Sequence, residues 1–372
     1  MCIRDSITYT DTYADTHNLT VMAGFTAERY ADWWLEGSRQ DVPGSSDLLH
    51  EVSSGTGDQK ASGSMSYQTL ASFLGRVMYN YDSRYYLTAS IRADGSSRFP
   101  KGNKFGYFPS VSLAWRLSNE KFMEATQGWL SNAKIRLGWG RVGNQAIANG
   151  AYMTKLNNGV NYVFGPDGTR YPATILGDMG NPNLKWETVE DLDFGIDLGF
   201  FNDRLGVTFD LYQKTSHDML YGKQSQLIMG VPTWMGAITQ NIGKMRARGW
   251  ELAINWNDRV GDFHYSIGVQ MSGVKNKAIK FTGDGPIWDG TGMSESIIKN
   301  EDGGLISRFF GYTTDGLFQT WEEVYNHSDE HGNLIQPDAQ PGDIKFVDRN
   351  HDGKLTDEDL SLIHISEPTR PY

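Results

Sequence analysis

The chain has 372 residues, a net charge of −11, and 42 glycines beside 18 tyrosines and 11 tryptophans. The acidic balance, without clustered Lys and Arg, argues against a nucleic-acid partner, and a single cysteine rules out a disulfide framework and thiolate metal sites. No apolar run reaches about 18 residues, which excludes a transmembrane helix.

Both ends read as foreign. Met1 to Ser6 is MCIRDS, which ATG TGT ATA AGA GAC AG can encode. Leu360 to Ile365 is LSLIHI, which CTG TCT CTT ATA CAC AT can encode. The two strings are reverse complements, as a sequencing adapter on both ends of a DNA fragment would make them. Residues 1–6 and 360–372 are therefore expected to be adapter read-through and are left out of the fold reading. That leaves a native stretch, 7–359, truncated at both ends and without cysteine, since Cys2 falls in the first foreign segment.

Along this stretch several segments alternate with period two, which points successive side chains to opposite faces of a strand. In Tyr85 to Ala93, the residues Tyr85, Leu87, Ala89, Ile91 and Ala93 form an apolar face against Tyr86, Thr88, Ser90 and Arg92. In Tyr107 to Leu117, an apolar face of Tyr107, Pro109, Val111, Leu113, Trp115 and Leu117 opposes Ser110, Ser112 and Arg116. Leu192, Phe194, Ile196 and Leu198 alternate with Asp191, Asp193, Gly195 and Asp197. Trp250 to Trp256 and Phe263 to Gln270 repeat the pattern. The segments are about ten residues long, the length of a transmembrane strand, and aromatics (Tyr107, Trp115, Trp139, Trp250, Trp256) stand near the ends of the apolar faces. Short polar turns at Tyr81 to Tyr85, Asn202 to Arg204 and Asn257 to Asp262 alternate with long connections at Asp94 to Phe105, Val142 to Glu187, Thr215 to Met245 and from Val274 onward. Short turns on one side and long loops on the other are the bacterial barrel arrangement. The expected fold is all-β: part of a transmembrane antiparallel β-barrel of about ten strands, too few to close a wide barrel, with long extracellular loops and a polar lumen wall. A secreted, non-spanning β-sandwich of binding or adhesion type gives similar alternation and stays open.

The connections hold the candidate binding groups. Trp33, Trp34, Trp234, Trp288 and Trp321 fall in expected loops, where an aromatic face can stack on a sugar ring or pack loop on loop. DGSSRF (Asp94 to Phe99) reads as a tight turn in which Gly95 permits positive φ; Arg98 either meets a ligand or belongs to a loop packed into the barrel mouth. Asn181-Pro182-Asn183 marks entry into a strand, with Trp186 expected at the membrane interface. Asp348, Asn350, Asp352, Gly353, Lys354, Thr356 and Asp359 stand at positions 1, 3, 5, 6, 7, 9 and 12 of the calcium-loop template. Calcium takes oxygen ligands at this spacing, although Asp359 stands where a bidentate Glu is usual, and a metal-free turn held by Asx hydrogen bonds is the alternative. No catalytic set and no organic cofactor motif is evident. The histidines are scattered, Gly138, Gly140 and Gly143 lack the GK[ST] of a phosphate loop, and Asp191, Asp193 and Asp197 read as lumen wall.

Seven stretches in order carry a family resemblance: RADGSSRFP (Arg92 to Pro100), GYFPSVSLAWRLSNEKFM (Gly106 to Met123), KIRLGWGRVGNQ (Lys134 to Gln145), NPNLKWET (Asn181 to Thr188), Gly195 to Tyr221, DGLFQTWEEV (Asp315 to Val324) and PGDIKFVDRNHDGKLTDED (Pro341 to Asp359). Together they resemble the SusC/RagA family of TonB-linked outer-membrane proteins of Bacteroidetes. The resemblance implies a 22-stranded barrel, of which 7–359 would be a part lacking the plug, the TonB box and the closing strands. It further implies a non-enzymatic importer of large nutrients, expected to be oligosaccharides. A SusD-like surface lipoprotein and the TonB complex, reached through the missing N-terminal part, would be its partners. A peptide or siderophore receptor of the same superfamily is the alternative.

Overall fold

The computed structural model describes residues 2–44, 51–166, 168–224, 237–281, 287–290 and 296–362. Two compact units divide the chain, Met1–Val274 and Lys275–Tyr372. The first is an antiparallel sheet of ten strands: β1 (Cys2–Tyr13), β2 (His17–Arg39), β3 (Gln59–Tyr81), β4 (Tyr85–Ser96), β5 (Phe105–Arg116), β6 (Leu130–Asn144), β9 (Glu187–Phe200), β10 (Leu205–Gln224), β11 (Ala237–Val260) and β12 (Phe263–Lys280). A separate hairpin, β7 (Leu156–Phe164) and β8 (Thr169–Leu176), interrupts the chain between β6 and β9. Each sheet strand pairs with the next in sequence apart from that insertion, and β1 and β12 are the edges. Cys2 to Ser6, read from the sequence as foreign, occupy the first part of β1 opposite Gly24 to Glu28, and Asp5 there lies between Ile3 and Ile7 on the apolar side.

The register carries the two-residue period across the whole sheet. Tyr85, Trp115, Ile135, Ile196, Phe209 and Leu252 stand in one row, and Leu87, Leu113, Leu137, Phe194, Leu211 and Trp250 in the next. The interleaved rows are polar: Tyr86, Ala114, Arg136, Gly195, Asp210 and Glu251, then Thr88, Ser112, Gly138, Asp193, Tyr212 and Gly249. Large apolar side chains on the first face stay open, Leu113 at 49% and Ile267 at 59%. A sheet that exposes such a face has lipid for its solvent.

At the short-turn end, aromatic rings run along the sheet. Tyr81 lies 4.9 Å from His17 and 6.2 Å from Tyr85, and Tyr85 stacks on Trp115 at 6.2 Å. Glu120, buried in the β5–β6 connection, fastens this row. Its Oε1 accepts from the Tyr85 hydroxyl at 2.7 Å and the Trp115 indole at 3.0 Å, and Arg84 approaches its other oxygen at 3.4 Å. These donors, Tyr85 first, hold the Glu120 carboxyl below the usual range.

Three expectations are corrected. The strands outrun the membrane: β2 and β3 have 23 residues each and β11 has 24, about twice what a tilted strand needs to cross. The loop expected from Thr215 to Met245 shrinks accordingly, because Thr215 to Gln224 and Ala237 to Met245 continue the β10–β11 ladder. Beyond the lipid both faces meet polar surroundings, so pairing persists while the hydrophobic period fades. Gly95 lies inside β4 opposite Ala71 and Phe105, with the Phe105 ring over it, rather than in a positive-φ turn. Trp186 is 7% exposed and packs at 5.0 Å on Phe99 and 5.4 Å on Phe108, away from the interface belt. It precedes β9, so the sheet does not point it outward, and its indole donates to the Lys104 carbonyl at 2.9 Å.

The second unit has short strands: β13 (Ile287–Gly290), β14 (Ser296–Asn300), β15 (Arg308–Tyr312), β16 (Thr314–Leu317), β17 (Ile344–Phe346) and β18 (Leu360–Leu362). The helix α1 (Trp321–Asn326) starts at Thr320, whose hydroxyl accepts from the Glu323 amide. Phe318, Val324 and Ala339 form its small core.

Candidate functional site

The polar face of the sheet is the first candidate. A cleft of about 850 Å³ lies on it, lined by Arg76, Thr88, Ser90, Ser110, Gly140 and Asp193 among others. Below it Arg136 organises the acidic side chains. Its Nε donates to Asp197 at 2.8 Å, its Nη2 donates to Asp210 at 2.8 Å, and Asp193 lies 3.9 Å away. Asp210 is on the strand beyond the neighbour, so the guanidinium must cross β9, and it does so over Gly195. A Cβ on Gly195 would sit 2.6 Å from Arg136 Cζ. The aspartates of β9 thus alternate onto the polar face, with Arg136 beside Asp193 and Asp197 and Lys214 3.9 Å from Asp191.

At the long-connection end of the sheet Phe99, Phe108, Ile147, Leu184 and Trp186 form a buried cluster. Phe99 is fully buried, so the loop after Ser96 is packed inward. Arg98 is half-buried there, with Nη1 donating to the Gln145 carbonyl at 2.9 Å. No sequence signal marked Phe99, Phe108 and Leu184 as one core, since they are far apart in the chain and meet only when the long connections fold back.

The candidate tryptophans are not gathered. Trp33 and Trp34, 71% and 47% exposed, are neighbours on β2 and so point to opposite faces. Trp321 starts α1 in the second unit and stacks on Tyr325 at 6.0 Å. Trp234 and the side chain of Trp288 lie outside the described residues.

The acidic loop does converge. Carboxylate oxygens of Asp348, Asp352 and Asp359 lie within 4.8 Å of one another. Asp348 accepts from the amides of His351 and Gly353, both at 2.8 Å. Asn350 Oδ1 accepts from the Asp352 amide at 3.1 Å, and Asp352 Oδ1 from the Lys354 amide at 2.9 Å. Thr356 Oγ1 accepts from the Glu358 amide at 3.3 Å. Asp359, fully buried, accepts from the amides of Thr356 at 2.9 Å and Arg349 at 2.8 Å. These donors, Thr356 first, hold its carboxyl below the usual range. Gly353 takes φ of +80° at the sharp turn, as the template requires. The donors are hard oxygens with three carboxylates among them, a set that fits calcium better than a soft metal.

The family model described as TonB dependent receptor-like, beta-barrel matches residues 3–322. TonB-dependent receptor P3 of Formosa agariphila is 27% identical over 371 residues, covering 98% of this chain and 36% of the relative. TonB-dependent receptor SusC of Bacteroides thetaiotaomicron is 32% identical over 293 residues, covering 78% of this chain and 28% of the relative. The chain thus spans about a third of the length of these curated relatives. Among solved structures, the RagAB peptide importer in its closed-closed state matches with a TM-score of 0.74 at 21% identity, over 97% of this chain and 37% of that chain. At that identity the likeness is one of fold.

Proposed function

Because the chain belongs to the TonB-dependent receptor-like β-barrel family and so lies in the outer membrane, we propose that the complete receptor imports large nutrients, foremost oligosaccharides, through this barrel. The observation that carries the reading is the ten-stranded sheet with one face for lipid and the other lined by paired charges and hydroxyls. Such a wall favours a hydrated, hydrogen-bonding cargo over an apolar one. In this reading a SusD-like lipoprotein covers the extracellular mouth, and the TonB complex supplies energy through a part of the receptor outside this chain. The Asp348–Asp359 loop holds calcium, which stiffens the second unit by drawing three carboxylates together. Trp33, Trp34 and Trp321 offer exposed rings to sugars. A peptide cargo is the second reading, favoured by the fold shared with RagAB.

The test is deletion of the full-length gene in its own host. Growth is then measured on α-glucan, β-glucan, xylan, mannan and polyuronate oligomers and on casein peptides. Loss of growth on one oligosaccharide, restored by a plasmid copy, is the expected result. Loss on peptides alone would transfer the reading to peptide import, and a defect only under iron limitation would transfer it to siderophores.

A further inference from the structure

The face of the sheet turned to lipid changes character at one level. Leu137, Phe194, Leu211 and Trp250 form its last wholly apolar row across β6, β9, β10 and β11, and all four stay exposed. The next row on the same face, two residues further from the short turns, runs from Trp139 and Leu192 to Gln213 and Arg248. The row after that runs from Arg141 and Glu190 to Thr215 and Arg246. Lys244 takes the following alternate place along β11. The row of Arg246 stands about ten residues from the short turns, the length a tilted strand takes to cross hydrocarbon. These cations therefore sit where lipid tails give way to headgroups, on the outside of the barrel wall.

They are also unmatched. The chain carries a net charge of −11, and other arginines of the sheet find carboxylates in it. Arg92 holds Asp94 at 2.7 Å and Arg136 holds Asp197 at 2.8 Å on the polar face, and Arg141 holds Glu190 at 2.7 Å on the outer face. Lys244, Arg246 and Arg248 form no ion pair among the described residues. Arg248 Nε has a neutral acceptor, Gln213 Oε1 at 2.8 Å. Arg246 is half-buried opposite the buried Thr215, and its Nε is shut off from water with no acceptor among the described residues. A guanidinium N–H left in that state is costly, and a charge at the edge of lipid persists where an opposite charge meets it. Glu190 does not oppose an incoming anion, because Arg141 neutralises it.

We propose that Lys244, Arg246 and Arg248 hold the phosphate of a phosphorylated glycolipid, of the lipid A type, in the outer leaflet against the outside of the barrel. The position selects a lipid, since the apolar rows directly below give acyl chains a surface to lie on. The arginines select phosphate, whose oxygens a planar guanidinium meets two at a time. The site lies on the opposite face from the lumen, so it is independent of which cargo the receptor imports.

The test uses the full-length receptor purified from its host's outer membrane and stripped of lipid by detergent exchange. Lipid A isolated from the same host is titrated in and the complex is counted by native mass spectrometry. The triple variant Lys244→Gln, Arg246→Gln, Arg248→Gln is expected to bind it at least tenfold more weakly than wild type. Lys214→Gln, on the polar face of β10, is expected to bind it as wild type does. Equal binding by the triple variant overturns the proposal. Equal binding of phosphatase-treated lipid A overturns it as well, because acyl chains alone would then hold the lipid. Phosphatidylglycerol binding as tightly as lipid A would reduce the site to a general anionic band, and inorganic phosphate binding as tightly would make it a free-anion site; either result overturns the assignment. So does a variant that loses a bound protein chain in place of lipid. If the triple variant fails to fold, Arg248→Gln, at an exposed position, takes its place. At least threefold weaker binding then supports the site, and unchanged binding overturns it.

Discussion

Gly195 is the clearest case of a residue whose value lies in what it lacks. Arg136 reaches two aspartates on two strands only because no side chain stands between them. All three groups are partly buried, with side chains 31%, 26% and 20% exposed for Arg136, Asp197 and Asp210, so the bonds are worth more than surface pairs. Gly195→Val should push the guanidinium off Asp210 and leave that carboxylate without its cation. The expected cost is on the order of 2 kcal/mol, the scale of a charge-assisted hydrogen bond lost at a partly buried site. It should be read as a lower denaturation temperature of the full-length barrel by heat-modifiability on gels, and an unchanged temperature would show that the pair contributes nothing. The Asp, Gly and Arg pattern was visible in the sequence. That Arg136 bridges over Gly195 was not, because the bridge depends on which strands become neighbours.

At the scale of the element, the acidic loop is the part most fully specified by local sequence. Its carboxylates, its glycine at positive φ and its amide donors all fall within Asp348–Asp359. Asp359 has a depressed folded pKa, so its contribution is present above the usual aspartate value of about 4 and is lost as pH falls through the lower folded value. Terbium luminescence of the full-length receptor should therefore be strong at neutral pH and be displaced by calcium. Asp348→Asn and Asp359→Asn should each weaken it at least tenfold, and acid below about pH 4 should abolish it in the wild type. Equal signal in both variants would leave the loop as a metal-free turn. The long hairpins show the opposite case. The β2–β3 ladder runs in one unbroken register from His17 opposite Tyr81 to Arg39 opposite Gln59, and in its outer part only β3 keeps a clear two-residue period, Met65 and Tyr67 against Ser64, Ser66 and Gln68. Trp33 and Trp34, read as loop residues, are therefore strand residues.

At the scale of the molecule, the open sheet sets the behaviour of the isolated chain. Among the described residues β1 and β12 each present an unpaired edge, and a lipid-facing sheet cannot leave backbone groups unsatisfied in hydrocarbon. Refolding residues 7–359 alone in detergent micelles should give aggregates, as seen by size-exclusion chromatography. A discrete heat-modifiable monomer would refute that expectation. The exposed apolar rows would then have to be covered by detergent while both edges stayed unpaired, which costs several kcal/mol per stranded group.

The sequence by itself determined the strand-forming stretches, their two faces and the calcium-type spacing, because each depends on residues within about a dozen positions of one another. Of the aromatic belt it marked Trp115; that His17, Tyr81 and Tyr85 line up beside it was decided by register. Only the tertiary structure decided where the strands end beyond the membrane, that Trp186 joins Phe99 and Phe108 in one buried cluster, and that Arg136 reaches Asp210 over Gly195. These facts depend on register between distant segments. Register is fixed by the whole sheet and has no local code.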